Sequence, residues 1–232
     1  MRILAVDTAT RSCSVAVIDG QTLLAEAIVT TGETHSRHLM NLIDQVLQIS
    51  RVSLKDIDGF AVTRGPGSFT GLRIGISTIK GFAASSGKPM VGVSTLDALA
   101  NQADVTPYLI CTVIDARKEE VYFGRYRRVG GVLIKETEEE VLSIVNAIQS
   151  IHEPSYFIGD GSLIYKPTIL EMLGEDRVVF APRFHHTIRG VTVANLGVQR
   201  IEKNNVDDVS TFRPRYIRKS DAELNLAKRH FL

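Results

Sequence analysis

No stretch of this sequence reaches eighteen uninterrupted apolar residues, which excludes a membrane-spanning helix of ordinary length. The apolar run in the opening "MRILAVDTATRSC" is too short for a secretory signal, so the expected compartment is the cytoplasm, with no membrane partner. An excess of one charge is lacking too. The 27 Lys and Arg residues against 26 Asp and Glu leave a net charge of +1. No global field then draws the chain to nucleic acid, and any RNA contact is local or supplied by a partner. Cysteine is scarce: Cys13 and Cys111 lie far apart in apolar runs, form no C-x-x-C, and read as two buried core thiols. Signatures of a metal or a nucleophile are missing. There is no H-E-x-x-H and no G-x-S-x-G. His35 and His38, like His185 and His186, come without the carboxylate or third ligand of a metal site and read as solvated or capping side chains.

What is present is the composition of a soluble globular chain: 232 residues, 44% hydrophobic and 23% charged, enough for one large domain or two small ones. "RILAVD" and "CSVAVID" read as a hairpin, and "TLLAEAIVT" as a third antiparallel strand. From Ser36 the period changes, with Leu39, Leu42, Ile43, Val46 and Leu47 marking an amphipathic helix that starts near a Thr/Ser cap. A strand over Gly59–Arg64, a helix over Phe69–Ser85, a strand over Met90–Ser94 and a helix through Ala103 follow. The pattern then restarts: strands in "YLICTVIDA", "EVYFGRYRR" and "GVLIKE", a helix over Glu138–Ser150, a strand in "SYFIGDGS", a helix from about Ser162, and "RVVFAP". Three strands, helix, strand and helix thus occur twice, without a detectable sequence repeat. A last helix covers about Val191–Lys203, the tail from Phe212 reads as only partly ordered, and its basic run "RPRYIRK", Arg213–Lys219, reads as a solvated segment or an auxiliary RNA contact.

The stretch "RGPGSFTGLRIG", Arg64–Gly75, invites comparison with a phosphate loop. A Walker loop needs a lysine after its second glycine, and the one Gly-Lys pair, Gly87-Lys88, runs into Pro89. A dinucleotide loop belongs on the first strand with an acidic residue about twenty positions on, and neither holds here. The helix after the loop tells more. Gly71, Gly75 and Gly81 each cost roughly 1 kcal/mol against alanine in a helix interior. Leu72, Ile76, Ile79 and Ala83 mark one apolar face; Gly71, Gly75, Thr78 and Phe82 mark a second. A helix apolar nearly all round is covered on both sides, whether by its own chain or by another.

The doubled ββ(β)αβα units, opened by "DTATRSCSVAV" and "DARKEEVYFGRY", resemble the actin, hexokinase and heat-shock-chaperone superfamily. Within it "ILAVDTAT", "RGPGSFTGLRIGIS", "GVSTLDALA", "DARKEEVYFG" and "PRYIR" are similar, in order, to the blocks of the TsaB (YeaZ) family. The resemblance implies an α/β fold of two such lobes, residues 1–104 with the dimer interface and a shorter second lobe, 105–232, with the basic tail. It implies a non-catalytic scaffold that pairs with a catalytic homologue, TsaD, and works with the ATPase TsaE. Together they transfer a threonylcarbamoyl group from its adenylate to the adenosine beside the anticodon in tRNAs reading codons that begin with A. In isolation the family forms homodimers through the same helices, and tRNA is met through the complex. The implied interface residues are Ser36, His38, Leu39, Ile43, Gly71, Leu72, Gly75, Thr78, Ile79 and Phe82, with Gly71 and Gly75 setting how closely a partner helix approaches.

The implied absences are as specific. The partner family holds its metal with H-x-x-x-H, and here Thr95 and Leu99 stand at the two positions; leucine cannot ligate a metal and threonine is a poor neutral ligand. No metal and no catalytic residue is expected. Ala9 stands where nucleotide-binding relatives have glycine, which leaves Asp7, Thr10 and Asp115 as a vestigial nucleotide site. The chain is expected to hold no cofactor of its own, with room for ATP or ADP at the heterodimer interface. The rival reading is an autonomous ATP-dependent transferase or glycoprotease of the same fold.

Overall fold

The computed structural model describes residues 1–31, 33–103 and 106–218. Its first sheet opens with β1 (Arg2–Asp7), β2 (Ser12–Asp19) and β3 (Thr22–Thr30), an antiparallel meander. Gly20, at φ +59, closes the β2–β3 turn in the left-handed region that glycine enters at no steric cost. Helix α1 (Leu39–Ser50) follows, then β4 (Gly59–Gly65), α2 (Phe69–Ser86), β5 (Met90–Ser94) and α3 (Thr95–Asn101). The strand order is β3-β2-β1-β4-β5, with β4 parallel to both β1 and β5.

The second sheet repeats the plan. Strands β6 (Leu109–Arg117), β7 (Glu120–Val129) and β8 (Val132–Lys135) form the meander. Then come β9 (Glu140–Ser143), α4 (Ile144–Ile148), β10 (Ser155–Ile158), α5 (Asp160–Ile164), α6 (Lys166–Leu173), β11 (Val178–Phe180) and α7 (Gly190–Glu202). The order is β11-β10-β6-β7-β8, with β10 parallel to β6 and β11, and β9 pairing with the start of β7. The doubled mixed-sheet architecture expected from the sequence is therefore the observed one.

Strand register explains why β1, β2 and β4 are almost continuous apolar runs, since a sheet covered on both faces has no polar side. Ala5, Ala16 and Ala61 are register partners on one face, where Gly190 and Gly197 of α7 come into direct contact with Ala16 and Ala61. Val6 and Phe60 point to the other, against Gly75 of α2 and the ring of Phe82. Helix α1 covers β2 and β3, and α3 is wedged between the two sheets. Cys13 and Cys111 are buried and unpaired, and burial pushes the Cys13 thiol up to about 12, an inert group. No described helix is long and apolar enough to cross a membrane.

Two expectations need correcting. The helix expected over Glu138–Ser150 is a strand followed by a short helix: Val141 and Leu142 pair with Tyr122 and Val121, and Ser143 Oγ caps α4 by accepting the Asn146 N–H at 3.3 Å. Helix α1 does not start on a Thr/Ser cap; His38 occupies that position without a side-chain cap, after a 3-10 turn over His35–Arg37. The expected division at 104/105 falls on residues outside the described ones, and α7, whose lobe the sequence leaves open, packs on the first sheet.

Candidate inter-lobe site and helix surface

Asp7 ends β1 and is fully buried. Its Oδ1 accepts the Ala9 N–H at 3.1 Å and the Thr63 hydroxyl at 2.8 Å, while Oδ2 has no partner among the described residues. Burial pushes the carboxyl up to about 7; the Ala9 and Thr63 hydrogen bonds oppose this, and the nearby charge of Asp160 adds to it. Asp160, also raised by burial, accepts the Asp115 N–H at 3.1 Å. Asp115 accepts the Arg117 N–H at 2.9 Å, and Thr10 Oγ1 lies 3.0 Å from Ser12 Oγ. Asp160, a residue the sequence had not singled out, thus touches Asp115 and acts electrostatically on Asp7.

The first turn does not fit a nucleotide's phosphates. Ala9 is buried, its carbonyl accepts the Ser68 N–H at 2.7 Å, and a Cβ built on Gly67 would overlap that same carbonyl. Gly67 serves this contact between loops. At the second turn Arg117, Lys118 and Glu119 all have φ near +60°, a left-handed run of side-chain-bearing residues where glycine would be favoured.

Thr95 and Leu99 lie on α3, both fully buried in the core that joins the sheets. Among the described residues no three His, Cys, Asp or Glu side chains come together as a metal site. The histidines have other work, and for His186 the expected solvated role is corrected. It is buried, with Nδ1 2.9 Å from the Gly159 carbonyl and Nε2 2.9 Å from that of Ala181. His35 Nε2 donates to the Thr10 carbonyl at 2.8 Å.

The interface residues divide. Gly71 and Gly75 do not face outward: a Cβ on Gly71 would overlap the Thr8 carbonyl, and one on Gly75 would overlap Thr8 Oγ1. The Thr8 hydroxyl donates to the Gly71 carbonyl at 2.8 Å, so the glycines admit the β1–β2 turn of the same chain, not a partner helix. Leu39, Ile43, Leu72 and Ile79 are likewise buried within the chain. Ser36 is exposed; His38, Thr78 and Phe82 are half-buried, with His38 Nε2 2.8 Å from Glu33 and Thr78 Oγ1 donating to the Ile74 carbonyl at 3.0 Å. The outward face of α2 is instead Thr70, Arg73, Ser77, Gly81, Ala84 and Ser85, all exposed. Gly81 has no atom within 4 Å of an added Cβ, and Met40 and Ile49 of α1 are exposed as well.

Over 212–218 the tail packs against the rest of the chain. Phe212 is buried, with its ring where a Cβ on Gly92 would be. The Arg215 N–H donates to the Arg64 carbonyl at 2.7 Å, and Tyr216 stacks on Phe69 with centroids 3.8 Å apart while accepting from Arg73 Nε at 2.9 Å. Arg215 also reaches buried Glu139 at 3.0 Å, and Arg218 donates to the Ala116 carbonyl at 2.7 Å and pairs with Glu120. One segment therefore straps both lobes. Of the run Arg213–Lys219 singled out for RNA contact, Arg215, Tyr216 and Arg218 are thus engaged within the chain, while Lys219 and the rest of 219–232 lie outside the described residues.

A family model described as TsaD, tRNA N6-adenosine threonylcarbamoyltransferase, matches residues 29–226. The tRNA threonylcarbamoyladenosine biosynthesis protein TsaB of Bacillus subtilis is 29% identical over 226 residues, 96% of either chain. The Escherichia coli protein of the same name is 42% identical over 145 residues, which span 61% of this chain and 62% of that one. The solved structure of YeaZ from Pseudomonas aeruginosa superposes with a TM-score of 0.77 at 25% identity, covering 93% of this chain and 99% of the other. With its doubled sheets, its "RGPGSFTGLRIG" loop-helix and these likenesses along nearly its whole length, the chain belongs to the TsaB (YeaZ) family.

Proposed function

We propose that this chain is the non-catalytic scaffold subunit of the machinery that makes threonylcarbamoyladenosine in tRNA. It pairs with a larger catalytic homologue of the TsaD type and works with a TsaE-type ATPase. The observation that carries the reading is the burial of Thr95 and Leu99 in the core of α3. At the two positions where the catalytic homologue is expected to carry histidines, this chain has a packed methyl-bearing alcohol and an alkane, which cannot polarise a substrate carbonyl. Nucleotide used by the complex is then held by the partners or at the heterodimer junction, because the Ala9 turn spends its backbone on the Gly67–Ser68 loop.

The pairing surface in this reading is the outward strip of α2. Small side chains at Ser77, Gly81 and Ala84 let a second helix come close. Specific interfaces bury on the order of 1,600 Å² in total. The test is reconstitution. Transfer of the threonylcarbamoyl group to tRNA by the TsaD-type homologue should need this chain, and this chain alone should give none. Product formed by the isolated chain would instead establish the autonomous enzyme.

A further inference from the structure

Between Asp58 and Asp97 the chain holds no acidic residue, and the cations over that span are Arg64, Arg73, Lys80 and Lys88. All but Arg73 are engaged with charges or carbonyls of the chain itself. Arg64 pairs with Asp207 at 3.8 Å. Lys80 donates to the carbonyls of Phe212 at 3.1 Å and Ser210 at 3.4 Å, and Lys88 donates to that of Lys55. Arg73 differs. It is exposed on the outward side of α2, in line with Ser77 and Gly81 at helical spacing, and no carboxylate pairs with it among the described residues.

Its position is nevertheless braced. Phe69 and Tyr216 stack with ring centroids 3.8 Å apart and planes inclined by 3°. The Arg73 guanidinium lies over both rings, 5.4 Å from the Phe69 centroid and 5.9 Å from that of Tyr216, which is itself 38% exposed. Arg73 Nε donates to the Tyr216 hydroxyl at 2.9 Å, and the two terminal nitrogens have no acceptor among the described residues. The stack restricts the rotamers of an otherwise mobile side chain, so less entropy remains to be lost when a ligand arrives. A guanidinium held through Nε still presents its terminal N–H groups, which meet a carboxylate with two parallel hydrogen bonds.

We infer that Arg73, braced by Tyr216 and Phe69, is the residue by which the α2 surface selects its partner, taking a carboxylate from an acidic segment of the catalytic homologue. The inference rests on the pairing surface proposed above and adds the chemistry of what meets it. Pairing along α2 covers Arg73, and a guanidinium taken out of water without an anion is costly. A second copy presenting its own α2 brings further cations and no acid, so like charge works against self-pairing on this face. An acidic partner satisfies the guanidinium, and arginine beside aromatic rings is the composition in which interface energy concentrates.

The test is the affinity of the full chain for the homologue by sedimentation, with circular dichroism confirming that each variant folds. Arg73→Glu should weaken pairing about thirtyfold or more, the loss expected when one member of a covered charge pair is replaced. Arg73→Lys, which keeps the charge and loses the paired donors, should weaken it about tenfold. Tyr216→Phe keeps the ring and loses the Nε contact, and should weaken it about threefold. Gly81→Leu separates this inference from the reading beneath it. Lost pairing in Gly81→Leu with unchanged affinity in Arg73→Glu would overturn the role of Arg73 and leave the α2 surface standing. Unchanged affinity in both would remove the surface and its anchor together. Self-association of the parent as tight as its pairing with the homologue would contradict an acidic partner. So would tRNA bound by the chain alone and released in Arg73→Glu, which assigns the arginine to phosphate instead.

Discussion

In an unfolded chain the Asp7 carboxyl titrates near 3.8, and in the folded protein burial moves it to about 7. Between these values the native state binds more protons than the unfolded one, so stability falls as pH rises through that window and levels off above it. The three-unit gap corresponds to roughly 4 kcal/mol. Asp7→Asn keeps an acceptor for Ala9 and Thr63 and removes the charge. Urea midpoints should show the variant gaining on the parent from pH 4 to 7, with the difference constant above about pH 8. A difference independent of pH would mean the carboxylate is not held out of water. Sequence alone marked Asp7 as an acidic residue ending the first strand. What it could not show is that the residue is sealed, because the seal comes from Thr63, 56 positions away, and from the loop packed on Ala9.

Among the elements, α2 shows the same division most clearly. Its span and its apolarity on both sides could be read from spacing, and the observed helix, capped by Ser68, differs by one residue at its end. Which side holds the neighbour could not, because Gly71, Gly75 and Gly81 look alike in sequence and differ only in what lies opposite. Thr8 crowds the first two and solvent faces the third. Gly75→Leu should therefore destabilise the isolated chain, by at least the roughly 1–3 kcal/mol typical of overpacking. Gly81→Ala should stabilise it by about 1 kcal/mol, by removing a glycine from an open helix interior. Thermal melts of the two variants check both signs. The β9 segment differs from expectation for a related reason: a Val-Leu pair beside a helix-forming run takes its strand from β7, a non-local partner.

At the scale of the whole molecule, α7 and the strap over 212–218 tie the end of the chain back to its beginning. A polar, arginine-rich tail carries no periodicity, so nothing local predicts its order. The slots at Gly92, Phe69 and Glu139 that hold it are assembled by the fold. Phe212→Ala should empty one slot at a cost of about 3–5 kcal/mol for a buried aromatic. Hydrogen exchange at the Arg215 amide should speed up first, while the β1 amides stay protected until global unfolding. The central claim is that this fold, with Leu99 and Thr95 closed in its core, acts by presenting the outward face of α2 to a catalytic homologue. Sedimentation of the chain with that homologue tests it most directly, using Gly81→Leu, which places a bulky side chain on an open surface and leaves the monomer folded. The parent should co-sediment as a heterodimer and Gly81→Leu should sediment as separate subunits; a heterodimer of unchanged affinity with Gly81→Leu would contradict the account.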